Sequence, residues 1–166
     1  MLLLESRPPP EPGDGQVLVR VRAAPIHASD LHMLRGRYGY TPEFPTVLGS
    51  ESVGVVEAVG AGVDSVEVGQ RVITVLVTGT WQELIVVTAS QVEAVPDGLS
   101  DSTACQLSSN PLTAVLLLRE IGVQPGEWLL QTAAGSTVGK LVVQLAHHRG
   151  IPTINVGLND WPHQAD

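Results

Sequence analysis

The stretch A-G-S-T-V-G at residues 134–139 decides the fold, because it joins a predicted strand to a predicted helix through a turn of small residues. Before it, W-L-L-Q-T at 128–132 predicts a short buried strand. After it, Val138–His148 has the apolar spacing of an amphipathic helix that Gly150 ends. T-I-N-V at 153–156 predicts a second strand. Strand, helix and strand together predict one parallel, right-handed βαβ unit.

The turn itself is typical of a phosphate cradle. It keeps the last glycine of the pattern G-x-G-x-x-G as Gly139, while Ala134 and Ser136 fill the first two glycine positions. Backbone N–H groups and the positive end of a helix dipole would face an anion there, and the hydroxyls of Ser136 and Thr137 add donors. A kinase-type P-loop is excluded, since Leu141 stands where that motif needs Ser or Thr. A tight turn without a ligand is the alternative.

The first hundred residues have the pattern of a small barrel or sandwich. Apolar and polar residues alternate from Gln16 to Ala24, as in a half-buried strand. Glycines lie between the further predicted strands, where bends are needed. These further strands are Glu51–Val59, Arg71–Val75, Glu83–Val87 and Gln91–Val95. Short strands at this spacing, separated by turns, favour a β-rich first part of the chain.

Helices follow these strands. Ser100 or Asp101 is predicted to cap the first of them. The second is predicted over Pro111–Ile121, with Asn110 as its N-cap and Gly122 beyond its end.

Composition excludes several classes of protein. Of the 166 residues 43% are hydrophobic and only 16% are charged, which predicts a packed core. A net charge of -8 argues against a nucleic-acid partner, because neutralising phosphates takes Lys and Arg. The single Cys105 excludes an internal disulfide and a four-thiolate zinc site, and it fits a cytoplasmic location. We expect no membrane partner, since no export signal and no membrane-length apolar run occur.

Several motifs of the first part carry a family resemblance. They are G-Q-V-L-V-R-V at 15–21, A-S-D-L at 28–31, P-T-V-L-G-S-E-S-V-G-V-V-E-A-V-G at 45–60, V-E-V-G-Q-R-V at 66–72 and G-T-W-Q-E at 79–83. With the glycine turn they resemble the medium-chain dehydrogenase/reductase superfamily, from about Pro9 to Val156. The resemblance implies a β-rich GroES-like partial barrel followed by the first βαβ part of an α/β Rossmann domain. It implies a GroES-like catalytic domain over residues 1–105 and the start of a dinucleotide-binding domain over 106–166.

Other motifs are similar to one branch of that superfamily, the 2-enoyl thioester reductases. They are L-R-G-R-Y-G at 34–39, S-N-P-L-T-A at 109–114 and Q-T-A-A-G-S-T-V-G at 131–139. This resemblance implies NADPH as cofactor and an acyl thioester as substrate. It implies that Tyr38 is catalytic and donates a hydrogen bond to the enolate oxygen. It also implies a set of cofactor-binding residues: Asn110, Thr113, Gly135, Ser136, Thr137 and Val138.

Alternatives stand beside each of these assignments. Tyr38 packing as a loop aromatic on Tyr40 or Phe44 is the structural alternative to a catalytic phenol. A zinc-free NADPH quinone oxidoreductase shares the general plan and is the second functional hypothesis, with a quinone as substrate.

The resemblance also bears on metal binding. Zinc alcohol dehydrogenases of the superfamily carry Cys and then His-Glu in their catalytic metal site, and His27 and Ser50-Glu51 occupy the corresponding positions here. At best His27 and Glu51 are left, whereas catalytic zinc usually takes three protein ligands. We therefore predict no metal; zinc held by these two residues and another ligand is the alternative.

Two departures from the family pattern limit the prediction. The family usually places Arg after the second strand to bind the 2′-phosphate of NADPH, but no Arg follows Val156, and Asp160 instead suits a ribose hydroxyl as in NAD enzymes. Family members also continue through further Rossmann strands, so we expect a truncated form with impaired hydride transfer. The third hypothesis is a non-catalytic fragment that binds a relative through its open sheet edge, or forms a homo-oligomer.

Overall fold

The computed structural model describes residues 2–39 and 42–157, and its backbone forms two compact units that meet in sequence between Ser108 and Ser109. The first unit is built on an antiparallel sheet with the strand order β4-β1-β2-β3-β5. Its elements are β1 (Gln16–Ala23), α1 (Ala28–Leu34), β2 (Val53–Val59), β3 (Arg71–Thr74), β4 (Leu84–Thr88), a 3₁₀ turn (Ala89–Gln91), β5 (Val92–Ala94) and α2 (Asp101–Ala104). All five predicted strands are therefore present.

The core of the first unit is made almost entirely of β-branched side chains from this sheet. Val17, Val19, Val56, Val72 and Ile85 are each at most 5% exposed. The central position of β1, paired with both β2 and β4, explains why three consecutive residues of β1 are buried. Burial of such aliphatic surface stabilises the unit by about 1.5–3 kcal/mol per large side chain.

One glycine of β2 is required by this close pairing. A Cβ on Gly54 would lie 2.4 Å from the Arg20 carbonyl oxygen and 2.5 Å from Cγ1 of Val19. Any side chain there would separate β1 from β2, which accounts for a glycine inside a strand.

The second unit contains the predicted βαβ arrangement. Its elements are α3 (Ser109–Ile121), β6 (Leu129–Thr132), α4 (Thr137–His148) and β7 (Thr153–Val156). Strands β6 and β7 are parallel, with Leu130 opposite Ile154. Helix α3 packs on α4 through a core that also takes in Leu129 of β6: Ala114, Leu118, Leu129, Val142, Ala146 and Ile151.

Two predictions about this unit are wrong. Helix α3 begins at Ser109, so Asn110 lies in its first turn and is not the N-cap. Ser108 is the residue that precedes the helix, and its amide and hydroxyl are both engaged by Glu51. The strand at 128–132 is also not buried throughout, because the side chains of Trp128 and Leu130 are 68% and 64% exposed. The helices cover only one face of the two strands.

The N-cap of α2 is one of the two predicted residues. Ser100 caps this helix, where its hydroxyl accepts the amide of Thr103 at 3.2 Å. Across residues 2–39 and 42–157, no helix is long and apolar enough to cross a membrane.

Candidate functional site

The turn before α4 presents unpaired backbone amides. Ser136 is the N-cap, and its hydroxyl oxygen accepts the amide of Gly139 at 3.0 Å. Within the described part of the chain, the amides of Gly135, Thr137 and Val138 donate no hydrogen bond. Because the first amides of a helix lack acceptors within it, these three groups and the helix dipole suit an anion such as a phosphate.

The turn is fixed by its own backbone. Ala133 has a left-handed φ of 54°, and its carbonyl accepts the Ser136 amide at 2.9 Å. The amide of Ala134 donates to the Val156 carbonyl of β7 at 3.2 Å. A Cβ on Gly139 would lie 2.6 Å from the Ala133 carbonyl oxygen, so only glycine lets α4 start this close to the turn. The Gly139 of the sequence motif therefore has a packing role.

Two predicted cofactor residues lie in the first turn of α3. The hydroxyl of Thr113 donates to the Ser109 carbonyl at 2.8 Å, so its proton is engaged inside the helix. The side chain of Asn110 forms no hydrogen bond to any described residue. Because α3 packs along α4 through Ala114 and Leu118, both residues belong to the same unit as the glycine turn.

Tyr38 lies in the loop after α1, in the first unit. Its side chain is 47% exposed, and its hydroxyl forms no hydrogen bond to the described residues. Phe44, one of its proposed packing partners, is itself 56% exposed, and Tyr40 lies outside the described residues. The phenol is thus accessible to an external acceptor.

A buried carboxylate links three segments of the first unit. Glu51, 1% exposed, lies two residues before the start of β2, and its Oε1 lies 2.5 Å from Nε2 of His27. Its Oε2 accepts the amide of Ser108 at 3.0 Å and the hydroxyl of Ser108 at 2.6 Å. Its backbone carbonyl accepts the hydroxyl of the fully buried Thr80 at 3.0 Å. A buried charge needs such partners, and here several hydrogen bonds satisfy it.

His27 is held from a second side. It is the N-cap residue of α1, and its amide donates to the carboxylate of the buried Asp30 at 2.7 Å. Two of the positions that matched a zinc site in the sequence are therefore joined by a direct hydrogen bond. Among the described residues no group of three or more His, Cys, Asp or Glu side chains could hold a metal ion. The lack of a metal stays a prediction.

Ser108 was not identified from the sequence. A charged residue next to an apolar strand, as in G-S-E-S-V-G-V-V, was a usable signal that Glu51 needs a buried partner. Nothing local in the sequence names that partner, which lies 57 residues away.

The only cysteine lies close to this carboxylate. Cys105 follows α2 and is 5% exposed. Burial raises the pKa of its thiol above the ordinary value, and the charge of Glu51 raises it further. Cys105 is thus held as a neutral thiol that packs with Val53 and Ala104.

The comparisons with known proteins agree with this geometry. Residues 13–97 match the model of the alcohol dehydrogenase GroES-like domain. The chain is 40% identical over 147 residues to the mitochondrial enoyl-[acyl-carrier-protein] reductase of Xenopus tropicalis, covering 87% of this chain and 42% of that protein. It is 39% identical over 145 residues to the synaptic vesicle membrane protein VAT-1 homolog of Homo sapiens, covering 86% of this chain and 37% of that protein.

A solved structure gives the same result for the fold. The quinone oxidoreductase from Thermus thermophilus, also determined in complex with NADPH, superposes with a TM-score of 0.83 at 30% identity. The superposition covers 95% of this chain and 50% of that chain. This chain therefore spans about half the length of that structure, and less than half the length of the curated relatives described above.

These matches confirm the predicted fold class, a β-rich GroES-like unit followed by the first βαβ part of a Rossmann domain. The domain model alone accounts for about half of the chain. The chain belongs to the alcohol dehydrogenase GroES-like family, within the medium-chain dehydrogenase/reductase superfamily.

Proposed function

We propose that this chain takes part in the NADPH-dependent reduction of 2-enoyl thioesters, with residues 1–105 as the catalytic part and 106–166 as the start of the cofactor-binding part. The amides of Gly135, Thr137 and Val138 carry the proposal, because they have no acceptor among the described residues and would bind an anion where the sequence motif predicts a pyrophosphate. The mitochondrial reductases at about 40% identity support the thioester as substrate. The NADPH complexes among the structural neighbours support the cofactor.

The residues of the turn fit a dinucleotide. The amides of Gly135, Thr137 and Val138 would bind the pyrophosphate oxygens, and the hydroxyls of Ser136 and Thr137 would add donors. When bound, NADPH supplies a hydride.

The two α3 residues would contribute differently. The amide of Asn110 can both donate to and accept from the cofactor. Thr113 can only accept there, because its own proton is directed to Ser109.

Tyr38 would act on the substrate. Addition of a hydride to the β-carbon of an enoyl thioester leaves negative charge on the thioester oxygen, and a proton from solvent then completes the α-carbon. The exposed, unpaired hydroxyl of Tyr38 can donate a hydrogen bond to that oxygen. A positioned donor or acid of this kind contributes on the order of 10²–10⁴ in rate.

The test replaces one amide of the turn. Thr137 is the first residue of α4, and Ser136 before it is extended with φ -71° and ψ 164°, which a following proline accepts. Thr137→Pro therefore removes one unpaired amide while the helix start is kept. Thr137→Ala is the matched control, since it removes the hydroxyl and keeps the amide.

NADPH binding is followed by the fluorescence of the nicotinamide. One hydrogen bond to a charged group is worth about 1.5–3 kcal/mol, so Thr137→Pro should weaken binding roughly 10- to 100-fold relative to Thr137→Ala. Equal affinities of the two variants would contradict the phosphate site. The sequence alone does not choose between NADPH and NADH, because no Arg follows Val156 and Asp160 lies outside the described residues. The affinity for NADH, measured in parallel, decides which of the two the chain binds.

A zinc-free quinone reductase is the second candidate, favoured by the quinone oxidoreductases among the structural neighbours at 28–35% identity. Parallel assays with a crotonyl thioester and a small quinone, both with NADPH, separate the two. If the chain binds neither nucleotide, the non-catalytic hypothesis is the one that remains.

A cytoplasmic location also stays a prediction, resting on the single buried thiol.

A further inference from the structure

Helix α1 is a short helix without an apolar anchor. Within its seven residues, all of them described by the structure, Asp30 is the single buried one. None of the hydrophobic clusters formed by the described residues takes in a side chain of α1. A helix of this length is not stable alone in water. The position of α1 therefore depends on how its two ends are held.

The start of α1 is held by His27. Its Nε2 lies 2.5 Å from Oε1 of the buried Glu51, and its amide donates to the Asp30 carboxylate at 2.7 Å. Its carbonyl accepts the amide of Asp30 at 3.1 Å, which closes the first turn of the helix on this residue. The chain before it is fixed separately, because the indole of Trp81 donates to the Pro25 carbonyl at 3.1 Å. Loss of the His27 side chain would therefore free α1 while the preceding segment stays in place.

The end of α1 is tied to the loop of Tyr38. The amide of Arg37 donates to the His32 carbonyl at 2.8 Å. The amide of Gly36 donates to the Met33 carbonyl at 3.0 Å, and its φ of 63° is left-handed. These two bonds form a Schellman motif, which closes the end of the helix. Tyr38 follows this turn directly, so a movement of α1 moves the backbone at Tyr38. We refer to residues 28–37 as the α1 arm.

We propose that His27 is a positioning residue for Tyr38 and acts through the α1 arm. The proposal rests on the proposed function, in which the Tyr38 hydroxyl donates to the enolate oxygen. Such a hydrogen bond stabilises the oxygen only at short distance and good alignment. A misplacement of about 1 Å can cost on the order of 10²-fold in rate. His27 needs no contact with the substrate for this role.

Hydrogen exchange of the full chain tests the α1 arm without any enzymatic activity. In His27→Ala the amides of the arm should exchange roughly 10- to 100-fold faster, the factor for a lost hydrogen bond to a charged group. Ser108→Ala is the matched control, because it removes a hydrogen bond from the other oxygen of the same carboxylate. It should leave exchange in the arm unchanged. His27→Gln should restore part of the protection, since its amide can donate to Glu51.

Thioester reduction tests the consequence for Tyr38. His27→Ala should lower kcat by on the order of 10²-fold and His27→Gln by less, whereas Ser108→Ala should keep the wild-type value. Because His27 acts through Tyr38, the double variant His27→Ala/Tyr38→Phe should be no slower than Tyr38→Phe alone. A purely structural role of His27 would instead slow both backgrounds by the same factor.

Gly36→Ala covers the case in which His27→Ala does not fold, because it loosens the α1 arm at its other end. The new Cβ would meet no described atom within 4 Å beyond its chain neighbours, so its effect comes from the left-handed backbone alone. Exchange of the Arg37 amide should rise and kcat should fall. The amide of Leu31, which donates to the His27 carbonyl, should keep its exchange rate.

Equal exchange of the α1 arm in His27→Ala and Ser108→Ala overturns the proposal. So does a double variant that is slower than Tyr38→Phe, or a Gly36→Ala variant with the kcat of the wild type. A wild-type chain without reductase activity overturns the proposed function instead. The exchange rates then still decide whether His27 holds the arm.

Discussion

The hydroxyl of Ser108 lies 2.6 Å from Oε2 of Glu51, and this contact joins the last residue of the first unit to the segment that leads into its second strand. The other carboxylate oxygen holds His27 at the start of α1. One buried carboxylate therefore connects three segments that are far apart in sequence. Removing a partner leaves charge without compensation, which is more costly than losing an ordinary surface hydrogen bond.

Ser108→Ala should lower the free energy of unfolding by about 2 kcal/mol, because a hydrogen bond to a charged group is lost while the amide of residue 108 still donates. Urea unfolding followed by circular dichroism measures this. The control Ser65→Ala, at an exposed residue with no hydrogen bond from its side chain, should leave the free energy unchanged. Equal stabilities of the two variants would show that the Ser108 contact is not formed.

His27→Ala should destabilise the chain by roughly 1.5–3 kcal/mol, since Glu51 then loses one of its partners inside the protein. His27→Gln should recover part of this loss, because its side-chain amide can still donate to the carboxylate. Thermal or urea unfolding of the two variants side by side gives the comparison. A glutamine variant no more stable than the alanine variant would speak against a hydrogen bond at this position.

The Cys105 thiol should make stability depend on pH in the alkaline range. Burial raises the pKa of this thiol in the folded chain, whereas the unfolded chain releases the proton near the ordinary value of about 8.5. Below that value both states hold the proton and the stabilisation is complete. Above it the unfolded state binds fewer protons, so the free energy of unfolding falls as the pH rises.

Unfolding of the wild type and of Cys105→Ala, measured at neutral and at alkaline pH, isolates this contribution. The wild type should lose more stability between the two pH values than the variant does. The thiol should also react slowly with a thiol reagent until the chain unfolds, because it is 5% exposed. Fast reaction of the folded chain at neutral pH would contradict the buried position.

Gly139→Ala should destabilise the second unit, although alanine is the better helix former by about 1 kcal/mol. The added Cβ would meet the Ala133 and Ala134 carbonyl oxygens at 2.6 and 2.7 Å, and such overpacking costs about 1–3 kcal/mol. Urea unfolding measures the change. The control Gly39→Ala places its Cβ within 4 Å of no described atom beyond its chain neighbours and should have little effect. A stabilised Gly139→Ala would mean that the turn and α4 are further apart.

Tyr38→Phe should lower kcat for thioester reduction by on the order of 10²–10⁴ if the phenol is the enolate donor. The dissociation constant for NADPH should not change, since the ring is kept and only the hydroxyl is lost. Steady-state kinetics and the nucleotide titration give the two numbers. An unchanged kcat would leave Tyr38 as an exposed loop residue without a catalytic role.

Local chemistry explains what the sequence could predict. Alternation along β1 and the run of small residues before α4 are local signals, and the structure has a strand and a helix at these places. Ser136 has the residue type that caps helices, and it does cap α4. The resemblance to the superfamily supplied the order of the two units.

Long-range pairing explains what the sequence could not predict. His27 and Ser108 lie 24 and 57 residues from Glu51, and no periodicity connects them. The start of α3 was misplaced because Ser108, Ser109 and Asn110 are all residue types that can cap a helix. The exposure of Leu130 was missed because an apolar run does not show how many sides of a strand are covered.

The carboxylate of Glu51 also has a consequence for engineering. Converting this scaffold into a metalloenzyme by placing cysteine at residue 27 would set a thiolate beside an oxygen that already lies 2.5 Å from the present imidazole. A cation bound there would take Oε1 of Glu51 as a ligand, while Oε2 keeps the amide and the hydroxyl of Ser108. A redesign would therefore keep Ser108, whose two hydrogen bonds to Oε2 would orient the carboxylate that serves as the metal ligand.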